Sequence, residues 1–186
     1  MNKNRLENFS DGVVAIIITI MVLELEIPAR ADAAALAEVL PILLGYLLSF
    51  IYTGIYWVSH HRLVHALVHV DGRVLWANLH LLFWMSLIPF ATTWVAGHRQ
   101  DAAPVALYGA VLLMCSIAFA LLVRVIDAGR LEEGDAALAP GWRTATVGSI
   151  ALYALAVALA FVEPMAANVI YVVLAVLWAA RPPRGA

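Results

Sequence analysis

Long apolar runs govern what this chain can fold into. Six stretches of roughly 20 residues are nearly free of charge, at about 9–27, 37–60, 74–96, 104–126, 142–162 and 164–181. About 20 helical residues cross the roughly 30 Å hydrocarbon core of a bilayer. The runs are too long for strands of a membrane barrel and lack their period-2 alternation. The expected fold class is therefore all-α: an integral membrane six-helix bundle, with residues 1–186 forming a single domain. Composition agrees, with 64% hydrophobic and 13% charged residues where soluble domains have about half and a quarter.

Charge sets the orientation. With the N-terminus inside, Lys3, Arg5, Arg62, Arg73, Arg124, Arg130, Arg143, Arg181 and Arg184 fall on the inner side, and only Arg30 and Arg99 on the outer. The positive-inside rule then places both termini in the cytoplasm. The outer edge collects acids instead: Glu24, Glu26, Asp32, Glu38, Asp101 and Glu163. A net charge of −2 argues against a nucleic-acid partner. The first run is followed by Glu24, Glu26 and Pro28 without a small-residue cleavage site, so it is expected to stay in the mature protein. The stretch 127–141, "DAGRLEEGDAALAPG", reads as a cytoplasmic loop, and "VEP" at 162–164 as a tight turn between antiparallel neighbours. Cys115 lies in an apolar run and offers neither a disulfide nor a metal cluster.

The chemistry-bearing residues gather near one end of the first three helices. In "RLENFSDGVVAIIITIMVLELEIP", Ser10 and Asp11 stand at the mouth of the apolar run, where a carboxylate can cap a helix N-terminus. Beyond them Ile16, Thr19, Ile20 and Leu23 share one helical face. The Thr19 hydroxyl can also bond back to the preceding turn. An ionisable group at the hydrocarbon edge needs a partner, and antiparallel packing brings the end of helix two level with it. There "WVSHHRLVHALVH" offers His60 or His61, and Asn78 lies at the same depth. His61, His65 and His69 are spaced four apart on one face, but no neighbouring carboxylate or cysteine pattern completes a metal site, so none is expected. Pro89 within helix three frees a carbonyl and is expected to kink it. Nucleotide-binding, esterase and zinc-protease motifs are absent, as is a TVGYG filter.

The motif from Arg5 through Phe9, Ser10 and Asp11 resembles the R-x-x-x-F-S-D signature of the transmembrane protein 175 family of potassium channels, in its bacterial form. "WVSHH" resembles the family's W-x-x-H segment, with His60 the matching histidine, and Asn78 with Pro89 resembles its N-then-P pattern in helix three. The likeness is specific over helices one to three and generic beyond. It implies a homotetramer without a re-entrant pore loop, in which helix one lines the pore. Ile16 and Leu23 would then form an apolar constriction, and Thr19 would offer oxygen to the permeating potassium ion. Arg5, Ser10, Asp11, His60 and Asn78, with Phe9 of the motif, would form a polar network that orients the pore helix outside the ion path. The implied protein is a potassium-permeable cation channel of the bacterial inner membrane, in contact with lipid, with no cofactor. The rival readings are a proton-coupled secondary transporter using Asp11 and the histidines, and a membrane assembly partner without conductance. A membrane enzyme fits worst.

Overall fold

The computed structural model describes residues 2–25, 27–28, 30–67, 69–132, 134, 137 and 140–180, the side chains of 140–145 excepted. Glu26, Arg181 and Arg184, and the side chain of Arg143, lie outside the described residues. All described regular structure is α-helix: α1 Lys3–Leu23, α2 Ala33–His65, α3 Gly72–Ser86, α4 Ile88–Gly97, α5 Ala102–Glu132, α6 Pro140–Ala160 and α7 Pro164–Ala179. Four stretches, Lys3–Leu23, Ala33–His65, Gly72–Gly97 and Ala102–Glu132, are long and apolar enough to cross a membrane; Thr146–Ala160 and Pro164–Ala179 are shorter apolar helices.

Several helix boundaries differ from the hydropathy reading, because caps rather than apolar content set them. Asn2 accepts the Arg5 N–H at 3.2 Å, so α1 begins at Lys3 and not near residue 9. Ser10 and Asp11 therefore lie inside the helix, two turns past its start, and Asp11 caps nothing. At the other end α1 stops at Leu23 rather than 27; Pro28 lacks an N–H and disfavours helical backbone at Ile27. Asp32 caps Ala35 N–H at 2.7 Å and starts α2 at Ala33, leaving Pro41 inside the helix rather than at its opening. At 33 residues α2 is about 50 Å long, well beyond the hydrocarbon thickness. The expected loop 127–141 is partly helix: α5 runs on to Glu132, whose carboxylate receives Arg73 at 3.0 Å. Gly134 follows with φ +82°, a left-handed turn that glycine adopts freely. The third span breaks at Leu87, two residues ahead of Pro89, into α3 and α4.

α5 is the central helix and packs most extensively on α6 and α3. Leu112, Cys115 and Ala118 on it are fully buried. Close approach is set by Gly109: a Cβ there would stand 1.9 Å from the Tyr171 hydroxyl oxygen. Neutral hydroxyls stitch the interior together. Tyr52 donates to the Tyr171 carbonyl, Tyr171 to the Val105 carbonyl at 3.2 Å, and Ser49 lies 3.0 Å from Tyr108 Oη and 2.7 Å from Thr92 Oγ1. Among the described residues, no buried side-chain polar atom lacks a partner, as an apolar solvent demands.

One end of the bundle gathers the α1 N-terminus, the α2 C-terminus, the α3 N-terminus and the α5 C-terminus. Lys3 Nζ donates to the His65 carbonyl at 2.8 Å, Arg130 Nη1 to the Ala66 carbonyl at 2.7 Å, and Arg73 spans to Glu132. At the opposite end Asn168 Nδ2 donates to the Arg99 carbonyl at 2.9 Å and Arg30 pairs with Glu38.

Candidate functional site

α1 has two unlike faces. Leu6, Ser10, Val14, Ile17 and Met21 are buried, at steps of three and four, against α2, α3 and α4. The other face is bare. Ile16 is 58% exposed and Leu23 80%, and Thr19, Ile20 and Phe9 are exposed beside them. The bare side opens onto a groove of about 880 Å³ between Ile16 and Ile20 of α1 and Phe90 and Trp94 of α4. Thr19 Oγ1 donates to the Ile16 carbonyl at 2.9 Å. That bond uses the hydroxyl proton within the helix and leaves the oxygen lone pairs facing outward.

Beneath this face the polar residues form a directed chain. Ser10 Oγ donates to the Leu6 carbonyl at 2.9 Å and accepts from Asn78 Nδ2 at 3.0 Å. Asn78 Oδ1 lies 2.7 Å from His60 Nε2. The serine proton is spent on Leu6, so Asn78 must present its NH₂ to Ser10 and its oxygen to His60, which assigns the proton to His60 Nε2. Ser10, Asn78 and His60 are all buried. Three helices thus meet through neutral hydrogen bonds with no charge placed among them.

Asp11 lies beside this chain and not in it. Its Oδ1 accepts from the Trp57 indole N–H at 2.9 Å. Neither histidine considered from sequence is that partner: His60 turns to Asn78, and His61 Nδ1 lies 2.7 Å from Glu7 Oε1. Arg5 is exposed and is not brought into the network. Five residues separate it from Ser10, which at 100° per residue points it to a different side of α1. The histidine series is also shorter than the spacing implied: α2 ends at His65, and His69 lies beyond it. Sequence reasoning missed Trp57 and Glu7 as partners. The available signal was the pair of four-residue steps, Glu7 to Asp11 and Trp57 to His61, on two antiparallel helices.

Comparison with known proteins gives the chain's relatives. The family described as "Endosomal/lysosomal potassium channel TMEM175" matches residues 5–89, which hold all but the first two residues of α1, the polar chain and Pro89. A potassium channel of Chryseobacterium sp. is 46% identical over 96% of this chain and 93% of its own length. One from Streptomyces collinus is 34% identical over 88% and 85%. Among solved structures, a lysosomal potassium-selective channel TMEM175 homolog from Chamaesiphon minutus superimposes with a TM-score of 0.83 at 28% identity, over 95% of this chain and 96% of that one.

Proposed function

Since the chain belongs to the TMEM175 family of potassium channels, we propose that it is itself a potassium-permeable cation channel in which α1 lines the pore. The observation that carries this reading is the division of α1. One face is buried and hydrogen-bonded into the bundle, while the other leaves Ile16, Thr19, Ile20 and Leu23 bare. One helix cannot enclose an aqueous path, so the functional unit is a homotetramer with four copies of that face around an axis. Rings of Ile16 and Leu23 close the pore by excluding water, and four Thr19 oxygens face a partly dehydrated cation. Four hydroxyl contacts are weaker than a carbonyl cage, so selectivity for potassium over sodium is modest, and no TVGYG filter is involved. The six apolar spans act as one domain in the bacterial inner membrane, lipid around them and both termini cytoplasmic. The permeating potassium ion is the only small species required. The role of the Ser10–Asn78–His60 chain and of the Asp11–Trp57 bond is to set the tilt and rotation of α1, not to touch the ion.

The test is current through purified protein in a planar bilayer, potassium on one side and sodium on the other, for wild type, Leu23→Ala and Thr19→Ala. A potassium-biased, non-saturating current is expected. Leu23→Ala should raise it, and Thr19→Ala should lower the potassium-to-sodium permeability ratio. An unchanged ratio removes Thr19 from selectivity. Absence of current, with saturable pH-coupled uptake abolished by Asp11→Asn, replaces the channel with a transporter.

A further inference from the structure

Three potential metal ligands converge at the anchored end of α1 and take no part in the Ser10–Asn78–His60 chain. His61 and His65 are one turn apart on α2, with rings 4.5 Å between centroids. Glu7 of α1 reaches across to His61 Nδ1 at 2.7 Å. One ligand atom from each of Glu7, His61 and His65 lies within 4.8 Å of the other two. The carboxylate absent from the local sequence around the histidines is thus supplied by the neighbouring helix, 54 positions away.

We infer that Glu7, His61 and His65 form a binding site for a divalent transition-metal ion of the Zn²⁺ class, bridging α1 and α2. Two imidazoles and one carboxylate, with the remaining position open to water, are a donor set that Zn²⁺ takes. Imidazole nitrogen disfavours Mg²⁺, Ca²⁺ and the alkali ions, which prefer oxygen. Metal–ligand bonds of about 2.0–2.2 Å place tetrahedral donors roughly 3.4 Å apart. Glu7 and His61, now hydrogen-bonded at 2.7 Å, therefore need to part by about 0.7 Å, and no pair of donors, all within 4.8 Å of one another, needs to close by more than about 1.4 Å, which side-chain rotation supplies. The site is reachable: the His61 side chain is 49% exposed and that of Glu7 19%. The dipole at the C-terminal end of α2 favours a cation, while Lys3, seated on the His65 carbonyl, is an opposing charge. Binding replaces the Glu7–His61 hydrogen bond and ties the first two turns of α1 to the last turns of α2.

The experiment uses the full chain in detergent, affinity tag removed and metal stripped by chelator. Co²⁺ is added as a visible-absorption probe and then displaced by Zn²⁺. One ion per chain is expected, with an absorption spectrum of low coordination number. Affinity should fall at least tenfold in Glu7→Gln and in His65→Gln, and stay unchanged in His98→Gln. Histidine footprinting of the wild type with and without Zn²⁺ gives a reading independent of any variant's folding: His61 and His65 should be protected and His98 should not. Equal affinity in all three variants, or footprints unaffected by Zn²⁺, overturns the site. Neither measurement depends on whether the protein conducts.

Discussion

Replacing Asn78 by alanine removes a side chain of α3 that hydrogen-bonds to both α1 and α2. The amide is 1% exposed and makes two hydrogen bonds, to Ser10 at 3.0 Å and His60 at 2.7 Å. The two losses are not equal. Ser10 keeps its bond to Leu6, so it loses a contact without being stranded. His60 Nε2–H, on a residue 5% exposed, loses its acceptor. A neutral hydrogen bond contributes about 1 kcal/mol net, and a stranded buried donor costs about 1–3 kcal/mol. Hydrogen bonds between membrane helices average about 0.6 kcal/mol by double-mutant cycle, with about 1.7 kcal/mol as the largest. Together these set the expected destabilisation of Asn78→Ala at about 2–3 kcal/mol. The assay is reversible unfolding in mixed detergent–SDS micelles, followed by the fluorescence of the six tryptophans. The cycle with Ser10→Ala should return a coupling between about 0.5 and 1.5 kcal/mol. A loss below about 0.5 kcal/mol, with no coupling, would refute the view that this chain holds α1 in place.

Two further outcomes follow from local geometry. Gly109→Ala should destabilise the bundle by about 1–3 kcal/mol, since its Cβ would meet the Tyr171 ring and hydroxyl; adding Tyr171→Phe should recover only part of the loss in a thermal melt, because the added Cβ still stands 2.6 Å from ring carbon Cζ. Asp71 caps α3, and its carboxyl is held below the ordinary carboxylate range, first by the Val74 N–H and then by Arg73. A depressed carboxylate stabilises fully above its unfolded value, near 3.9, and the effect fades as pH falls through the folded value. Asp71→Ala should therefore cost about 0.5–1 kcal/mol at neutral pH, and the gap between wild type and variant melts should close below about pH 4.

The helices were legible because apolar length alone identifies a span. Their ends were not, because Asn2, Asp32 and the charged turn at 127–132 extend helices through residues that hydropathy scores as loop. Antiparallel packing put Ser10, Asn78 and either His60 or His61 at one depth, the motif resemblance singled out His60, and the structure brings those three together. The partners of Asp11 and His61 were hidden for a different reason. Lys3 meets His65, Glu7 meets His61 and Asp11 meets Trp57, so each step of four forward in α1 is a step of four back in α2. That regularity appears only once the register of two antiparallel helices is known. The hydroxyls of Tyr52, Tyr108 and Tyr171 gave no sequence signal, since tyrosines in apolar runs look alike until packing pairs them.

The ladder between α1 and α2 makes the first helix a cantilever. Its directional bonds to the rest of the bundle, from Lys3, Glu7, Ser10 and Asp11, all lie in its first half. Beyond them, Val14, Ile17 and Met21 hold it by apolar contact, which resists separation but permits sliding. Leu23 stands about 18 Å along the axis from Asp11, at 1.5 Å per residue. A rotation of about 5° about the fixed end therefore carries Leu23 sideways by about 1.6 Å, while Ile16, nearer the support, travels less than half as far. A small adjustment at the clamped end is enlarged with distance, and the free tip is where the largest displacement is delivered.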